Sequence, residues 1–353
     1  MDSARGPWIQ SRRWDLTWLI GSALLVPAGL AVVWSGAPAD AVNLAVTALV
    51  GGPHVFSTLL TTYLDPRFRR SHRAALWAAA LLVPAGVVAM TLLDFQALMS
   101  FFVFWASLHV LQQNAYLADV YRRRAGRPEP AGFRLLDYAV LFLSFYPLAS
   151  YKLVRDDFTL GSIRILIPSF ARAEATWRLA AAAFALALVA WLAKTAWEAR
   201  RGLLNLPKTL LIGVTVGVAF FIPIAERGER LELAFQTVNA WHSLQYLAII
   251  WVVLKIRRER GLLESPFVAR LAGPGRAAGA FYGLCFLFTA ALLAVVFALV
   301  RFDPLSLARE QYYYMTVLSA LFVHYTLDSY LFFAAGRDEA RPDTIPLVAP
   351  AAA

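Results

Sequence analysis

The sequence contains ten apolar runs that are candidates to cross a lipid bilayer as helices, although the fifth and seventh are short or interrupted by Pro147 and Pro223. A spanning helix needs about 20 mainly apolar residues at a rise of 1.5 Å per residue. With 59% hydrophobic and 16% charged residues, the chain is also more apolar than ordinary soluble domains. We therefore predict an all-α, polytopic integral membrane protein with about ten transmembrane helices. The runs occupy residues 15–35, 41–64, 74–93, 97–121, 135–152, 177–197, 209–225, 231–254, 277–301 and 312–334.

Arginine and lysine are concentrated in every second loop of this arrangement. The loops after the second, fourth, sixth and eighth runs are Arg-rich, whereas residues 36–40 and 94–96, after the first and third runs, include no Lys or Arg. Because cytoplasmic loops of membrane proteins are enriched in positive charge, we predict that both termini are cytoplasmic in a multi-pass protein of the inner (plasma) membrane. The net charge of +10 is then explained by topology and by anionic lipid head groups, with no nucleic-acid partner.

The pattern gives no sign of a soluble domain or of an internal repeat. We predict a single transmembrane domain over residues 1–336, followed by a Pro/Ala-rich tail, 337–353, that is disordered. The longest predicted outer segment, 154–176, contains an amphipathic patch at 163–167, which is a candidate for a helix lying on the membrane surface.

Four histidines lie inside apolar runs: His54, His109, His242 and His324, in the second, fourth, eighth and tenth predicted helices. Each lies about 11–13 residues from the outer end of its helix, so their depths agree within about 3 Å at 1.5 Å per residue. Ionisable side chains at this depth are costly and are expected to face one another or a bound group. We therefore expect the four imidazoles to meet near the middle of the bilayer and to hold a metal ion.

Polar side chains lie within one or two turns of these histidines. Asp328 follows His324 at i+4, so the two share a helix face, and a carboxylate at this depth needs a cation, a metal or a proton. We predict that Asp328 is either a fifth ligand or a partner of the ligands. Four other polar residues are expected to hydrogen-bond the metal ligands: Thr58, Gln112, Asn239 and Gln245. Three are candidates to orient oxygen or substrate: Gln113, Tyr246 and Tyr325.

Other interpretations of the histidines remain open from the sequence. A single buried histidine in a membrane helix often makes only an interhelical hydrogen bond. Two of the four could ligate a haem, although that would leave two unexplained. A proton relay through the four histidines and Asp328 would instead indicate a proton- or ion-coupled transporter or channel. Such a protein should have a water-accessible cavity open to one face.

Three short stretches resemble the Brp/Blh-type β-carotene dioxygenases, polytopic membrane enzymes that hold iron with histidines. The stretches are Gly52-Pro53-His54, His109 through Gln112-Gln113, and Trp241-His242-Ser243-Leu244. The resemblance implies that His54, His109 and His242 are iron ligands. Position 246 is Tyr where that family has a second late histidine, and the family's Gly-Ala-Leu-Asp-His continuation after Pro-His is absent. A later helix with His324 and Asp328 could supply the missing ligand.

These observations together favour a membrane-embedded, non-haem metal enzyme of the oxygenase type. Fe(II) is the expected cofactor, with haem as the weaker alternative. The expected partners are dioxygen and a lipid-soluble small molecule such as an isoprenoid, a carotenoid or an acyl chain. Apolar walls would keep bulk water from the reacting groups.

Overall fold

The computed structural model describes residues 6–155, 158–225 and 231–333, which are almost entirely helical. The predicted disordered tail, 337–353, lies outside the described residues. The helices, in chain order, are α1 (Arg12–Asp15), α2 (Leu25–Trp34), α3 (Ala39–Val46), α4 (Gly52–Thr61), α5 (Pro66–Ser71), α6 (Arg73–Leu93), α7 (Phe95–Arg124), α8 (Ala131–Arg155), α9 (Glu174–Arg200), α10 (Leu206–Ala225), α11 (Leu231–Glu259), α12 (Pro266–Leu271), α13 (Ala277–Phe302) and α14 (Arg309–Phe333).

Eight helical segments within the described ranges are long and apolar enough to cross a membrane. This confirms the all-α class with multiple membrane-length helices. Of the remaining predicted spans, the seventh contains a shorter apolar helix, Leu206–Phe220, and the tenth is the long but more polar α14. The total of ten spans and the cytoplasmic termini stay predictions. The eight segments are Arg12–Trp34, Ala41–Thr61, Arg73–Leu93, Phe95–Arg124, Ala131–Lys152, Glu174–Arg200, Ala234–Glu259 and Ala277–Phe302.

Contacts divide the chain into two compact units, which are described separately below. Unit 1 comprises Met1–Val42 and Met99–Trp241, and unit 2 comprises Asn43–Leu98 and His242–Ala353. The single transmembrane domain over residues 1–336 stays a prediction.

Unit 1 has an apolar core and a charged cluster. In the core, Trp241 packs with Val26, Leu30 and Val238, all at most 3% exposed. Helix α8 packs against α9 and α10. These contacts bury the apolar faces of helices that come from distant parts of the sequence.

The charged cluster of unit 1 lies where α7, α8, α9 and α10 present oppositely charged side chains to one another. Asp137 on α8 contacts Lys194 Nζ at 2.7 Å, Lys208 Nζ at 2.9 Å and Arg122 Nη2 at 2.9 Å. Glu129, in the α7–α8 loop, binds Lys208 Nζ at 2.5 Å and also pairs with Arg122. Buried charges need such partners, because isolated ions are strongly disfavoured away from water.

Glu129 stays ionised because of these partners. Burial alone would raise the pKa of its carboxyl group. The hydrogen bond and charge of Lys208, followed by Arg122 and Lys194, outweigh that effect and lower the pKa to about 2. The cluster is therefore held together by a carboxylate over the whole physiological pH range.

The amphipathic patch at 163–167 does not form the predicted surface helix. Strands β1 (Thr159–Leu160) and β2 (Ile163–Arg164) instead pair antiparallel. Gly161 occupies the turn with φ +59°, a conformation that glycine adopts easily, and the β-branched residues that follow favour an extended backbone. The prediction of a helix was wrong here because alternation of apolar residues over five positions does not distinguish a short helix from a strand.

In unit 2, α14 packs against α4, α6 and α13, and α13 packs against α4. The close approach of α4 and α13 depends on Gly52, because a Cβ built at that position would lie 2.2 Å from Thr289 Cγ2. Small residues at helix contacts allow this kind of packing between membrane helices. A buried ion pair joins α11 to the residue that caps α5, since Arg257 Nη2 lies 2.6 Å from Asp65 Oδ2.

Candidate metal centre

Helix α4 carries the first histidine of the centre and begins in an irregular way. A π-helical turn, Thr47–Gly51, leads directly into α4, and Pro53 stands at its start. Proline has no N–H, so the carbonyl of Leu49, four residues earlier, receives no helical hydrogen bond from that position. The hydroxyl of Tyr282 on α13 donates to this carbonyl at 2.6 Å. The local sequence thus produces a widened turn beside His54, and π turns of this kind are common at functional sites.

Three buried histidines of unit 2 meet at one point. Each of His54, His242 and His324 offers one ring nitrogen, and these three nitrogens lie within 4.8 Å of one another. The ring centroids of His54 and His324 are 4.7 Å apart, and those of His54 and His242 are 5.2 Å apart. All three side chains are at most 2% exposed. Because α4, α11 and α14 each supply one imidazole, only their packing brings the three together.

The hydrogen bond of His54 fixes which ring nitrogen carries the proton. Its Nδ1 lies against the carbonyl oxygen of Gly51, one turn earlier, and Ser243 Oγ is 3.0 Å from the same nitrogen. A carbonyl oxygen can only accept a hydrogen bond, so Nδ1 is the donor. In the neutral imidazole, the lone pair is then on Nε2. This nitrogen is buried and has no hydrogen-bond partner among the described residues. A buried acceptor in this state is the kind of atom that a metal ion satisfies.

His324 is held by a four-residue polar network. Thr58 Oγ1 lies 2.7 Å from His324 Nδ1, 2.8 Å from the hydroxyl of Tyr246 and 3.4 Å from Asp328 Oδ1. The Tyr246 hydroxyl donates to Asp328 Oδ1 at 2.6 Å. Asp328 Oδ1 is itself 3.5 Å from His324 Nδ1. Every member of the network is at most 1% exposed.

When Asp328 is ionised, one arrangement of protons satisfies the three shortest of these contacts. Tyr246 uses its single proton on Asp328, so Thr58 must donate its own proton to the Tyr246 oxygen. The Thr58 oxygen is then left to accept from His324 Nδ1–H. The lone pair of His324 consequently lies on Nε2, the same nitrogen as in His54. A carboxylate that orients a ligand histidine through such a network is a recurring feature of metal sites.

The other predicted residues of unit 2 differ in their relation to the cluster. The ring of Tyr246 lies 5.0 Å from His324 and 5.6 Å from His54 between centroids, which places it within the cluster. Tyr325 is next in sequence to His324, and its ring centroid is 5.5 Å from that of the histidine. Gln245 is fully buried on α11.

The remaining predicted residues belong to unit 1 and are described there. His109 and Gln113 are buried on α7, and Gln112 beside them is partly buried. Asn239 Nδ2 donates to Gln236 Oε1 at 3.3 Å, an interaction one turn along α11. The predicted role of these four residues at the metal remains a prediction.

Two groups that contact the cluster were not among the predicted site residues. Ser243 follows His242 directly, so its position in the apolar run was visible, but not its contact with His54 on another helix. The Gly51 carbonyl lies at the last residue of the π-helical turn, one turn before His54. The Gly-Gly-Pro sequence before His54 was the signal of an irregular helix.

A scan against protein-family models, a search of curated proteins and a search of solved structures each found no match to this chain. The resemblance to the Brp/Blh-type enzymes stays a prediction from the three short motifs.

Proposed function

We propose that this protein is a membrane-embedded, non-haem metal enzyme, with iron as its metal, that oxidises a lipid-soluble substrate with dioxygen. The observation that carries the proposal is the convergence of His54, His242 and His324, whose ring nitrogens lie within 4.8 Å of one another in a fully buried position. Three neutral imidazoles with a carboxylate nearby suit a borderline metal such as iron or zinc. Iron held there would supply redox chemistry, which zinc lacks.

The residues of the chain would prepare such a centre in two ways. The Gly51 carbonyl and the network of Thr58, Tyr246 and Asp328 orient His54 and His324 and keep the lone pair of each on Nε2. Burial removes competing water from the ligands. His109 and Asp328 are proposed as further ligands, with Tyr325 and Gln113 proposed to orient oxygen or substrate.

The geometry of the histidines favours a non-haem centre over haem. A haem with two axial imidazoles requires a flat opening between them for the porphyrin. The rings of His54 and His324 are instead in edge-to-face contact, with an interplanar angle of 89°. The space between these two imidazoles does not accommodate a macrocycle.

A proton- or ion-coupled transporter is supported by one observation, the hydrogen-bonded chain from Tyr246 through Asp328 and Thr58 to His324. Such a chain can carry a proton. A transport path would also need water at one end of the chain. On α4 and α14 the residues beside this network, Val55, Leu59, Val323 and Leu327, are apolar, which favours the enzyme.

The first test is metal content, because it separates the two functions. Protein purified in detergent would be analysed by mass spectrometry for metals and by absorption spectroscopy. We expect about one iron atom per chain, no Soret band, and loss of the iron in His242→Ala and His324→Ala, since each removes a ligand.

The matched control is His72→Ala. His72 lies outside the cluster and stacks on Phe68, with ring centroids 4.3 Å apart, so its removal should leave the iron in place. Wild-type protein that holds no metal, and takes up none when iron is added, would overturn the proposal and leave the proton path as the better explanation.

A further inference from the structure

A pocket of about 370 Å³ lies beside the histidine cluster in unit 2. Its walls come from α4, α6, α13 and α14, and two members of the polar network, Thr58 and His324, line it as well. Pockets that hold small molecules have volumes of about 300–1,000 Å³. The pocket is therefore large enough to hold part of a ligand next to the candidate centre.

The remaining wall of the pocket is apolar in character. Two of its residues, Thr316 and Ser319, carry hydroxyl groups, but both hydroxyls are used within α14. Thr316 Oγ1 donates to the carbonyl of Tyr312 at 2.8 Å, and Ser319 Oγ donates to that of Met315 at 2.7 Å. A charged ligand would find no counter-charge along this wall, and burying an uncompensated charge is strongly unfavourable. The wall thus suits an uncharged hydrocarbon.

The pocket extends from the surface of unit 2 to its interior. Val295 on α13 is 50% exposed, whereas Thr58 and His324 are each 1% exposed. The helices α6 and α13, which contribute to the pocket wall, also expose apolar side chains, with Leu82 70% exposed and Leu287 62% exposed. In a membrane-spanning helix such a surface faces lipid. The mouth of the pocket therefore opens toward the bilayer and its inner end reaches the cluster.

Small side chains on α14 create the space near the inner end. Ala320 precedes His324 by four residues, so the two lie one turn apart on the same face of the helix. Ser319 lies beside Ala320 on the same wall. A larger side chain at position 320 would fill the pocket one turn away from the imidazole.

We infer that this pocket binds the uncharged hydrocarbon chain of the substrate, which reaches the centre sideways from the bilayer, and that Ala320 sets the width of chain accepted. The inference rests on the proposed function, because it makes the pocket the substrate site of the same centre. The substrate class that follows is an elongated molecule whose reacting part has no charged group. That part lies next to Thr58 and His324.

The test uses a photoreactive probe in the full-length protein. Protein in phosphatidylcholine bilayers would be irradiated with a long-chain alkyl alcohol that carries a diazirine in its chain, and the labelled residues would be mapped by mass spectrometry. We expect labelling at pocket residues of α13 and α14, competed by unlabelled alcohol. Ala320→Phe should reduce it by about fivefold or more, because the added ring occupies the same space.

Two further variants keep the result interpretable. Ala294→Phe places the same side chain on the exposed surface of α13, outside the pocket, and should leave labelling unchanged. Ser319→Leu narrows the pocket from a neighbouring position and should also reduce labelling, which covers the case in which Ala320→Phe does not fold.

The iron content of the same samples separates the pocket from the proposed function. Iron retained in Ala320→Phe together with lost labelling would support both. Pocket labelling in a protein that binds no iron would support the pocket and overturn the metal-dependent function. Labelling spread evenly over lipid-facing residues such as Leu82 and Leu287, and unaffected by Ala320→Phe, would overturn the inference.

Discussion

Tyr246 is predicted from the sequence to orient oxygen or substrate, and the structure places it inside the cluster. Its ring contacts His54 and His324, and its hydroxyl joins Thr58 to Asp328. A tyrosine here cannot replace the nitrogen lone pair of a histidine, but it connects a carboxylate to a ligand on another helix. Tyr246 thus links α11 to α4 and α14 within the cluster.

We expect Tyr246→Phe to keep the ring packing and to weaken metal binding by about 10- to 100-fold, the usual effect of removing a group that orients a ligand. The loss follows because Asp328 loses its donor and Thr58 loses one of its partners. Affinity can be measured by competition with a chelator. Tyr330→Phe, at an exposed tyrosine of the same unit, is the control. Equal affinities in Tyr246→Phe and wild type would show that the network does not support the metal.

At the scale of the secondary-structure element, α4 combines three special features near its start. A π turn precedes it, a proline starts it, and Gly52 allows α13 to approach closely. The Leu49 carbonyl, which receives no hydrogen bond from Pro53, accepts one from the Tyr282 hydroxyl on α13. Helix α13 therefore contacts both the π turn and Gly52. The position of His54 is therefore determined jointly by α4 and α13.

Gly52→Ala should destabilise the protein by about 1–3 kcal/mol, the range for overpacking, because the new methyl group would overlap the side chain of Thr289. Thr289→Ala in the same chain should restore part of the loss, since it removes the two closest atoms while its Cβ remains near. Thermal unfolding in detergent measures both effects. Gly86→Ala on α6, where an added Cβ meets nothing within 4 Å, should cause no loss. A similar loss at both glycines would contradict the steric explanation.

At the scale of the whole molecule, two kinds of interior coexist. Unit 1 contains a cluster of compensated charges centred on Asp137 and Glu129, while unit 2 contains the neutral imidazoles and the apolar pocket. The charged cluster has acids and bases in close pairs and so needs no further ligand. We interpret it as structural, and we assign chemistry to the imidazoles.

The charged cluster predicts how stability changes with pH. The pKa of Glu129 is lowered from 4.5 to about 2, so its contribution is complete above about pH 4.5 and is lost as the pH falls toward 2. Glu129→Gln should therefore unfold at a lower temperature than wild type at neutral pH, and the difference should shrink below pH 4.5. Glu174→Gln, which removes an exposed pair with Arg178, should show little difference at any pH. A gap between Glu129→Gln and wild type that does not change with pH would refute this account.

Most helices of this protein could be predicted from the sequence, because a long apolar run is a local property that bilayer thickness makes decisive. The same reasoning located the buried histidines and the i, i+4 pair of His324 and Asp328. It did not find the hairpin at Thr159–Arg164. Its strands are only two residues long, and the turn at Gly161 determines their pairing. The tenth predicted span corresponds to the long helix α14, and the total of ten stays a prediction.

By itself, the sequence determined that histidines would be buried in long apolar helices. The composition of the apolar runs predicts the helices, and the positions of the histidines within the runs predict their burial. Only the tertiary structure decided that His54, His242 and His324 share one point, that Tyr246 and Thr58 connect Asp328 to His324, and that small residues of α14 leave a pocket beside them. The physical reason is that each residue turns about 100° around its helix axis, so facing side chains depend on the rotation and packing of each helix. Residues 54, 242 and 324 are too far apart in the chain for local sequence to set those rotations.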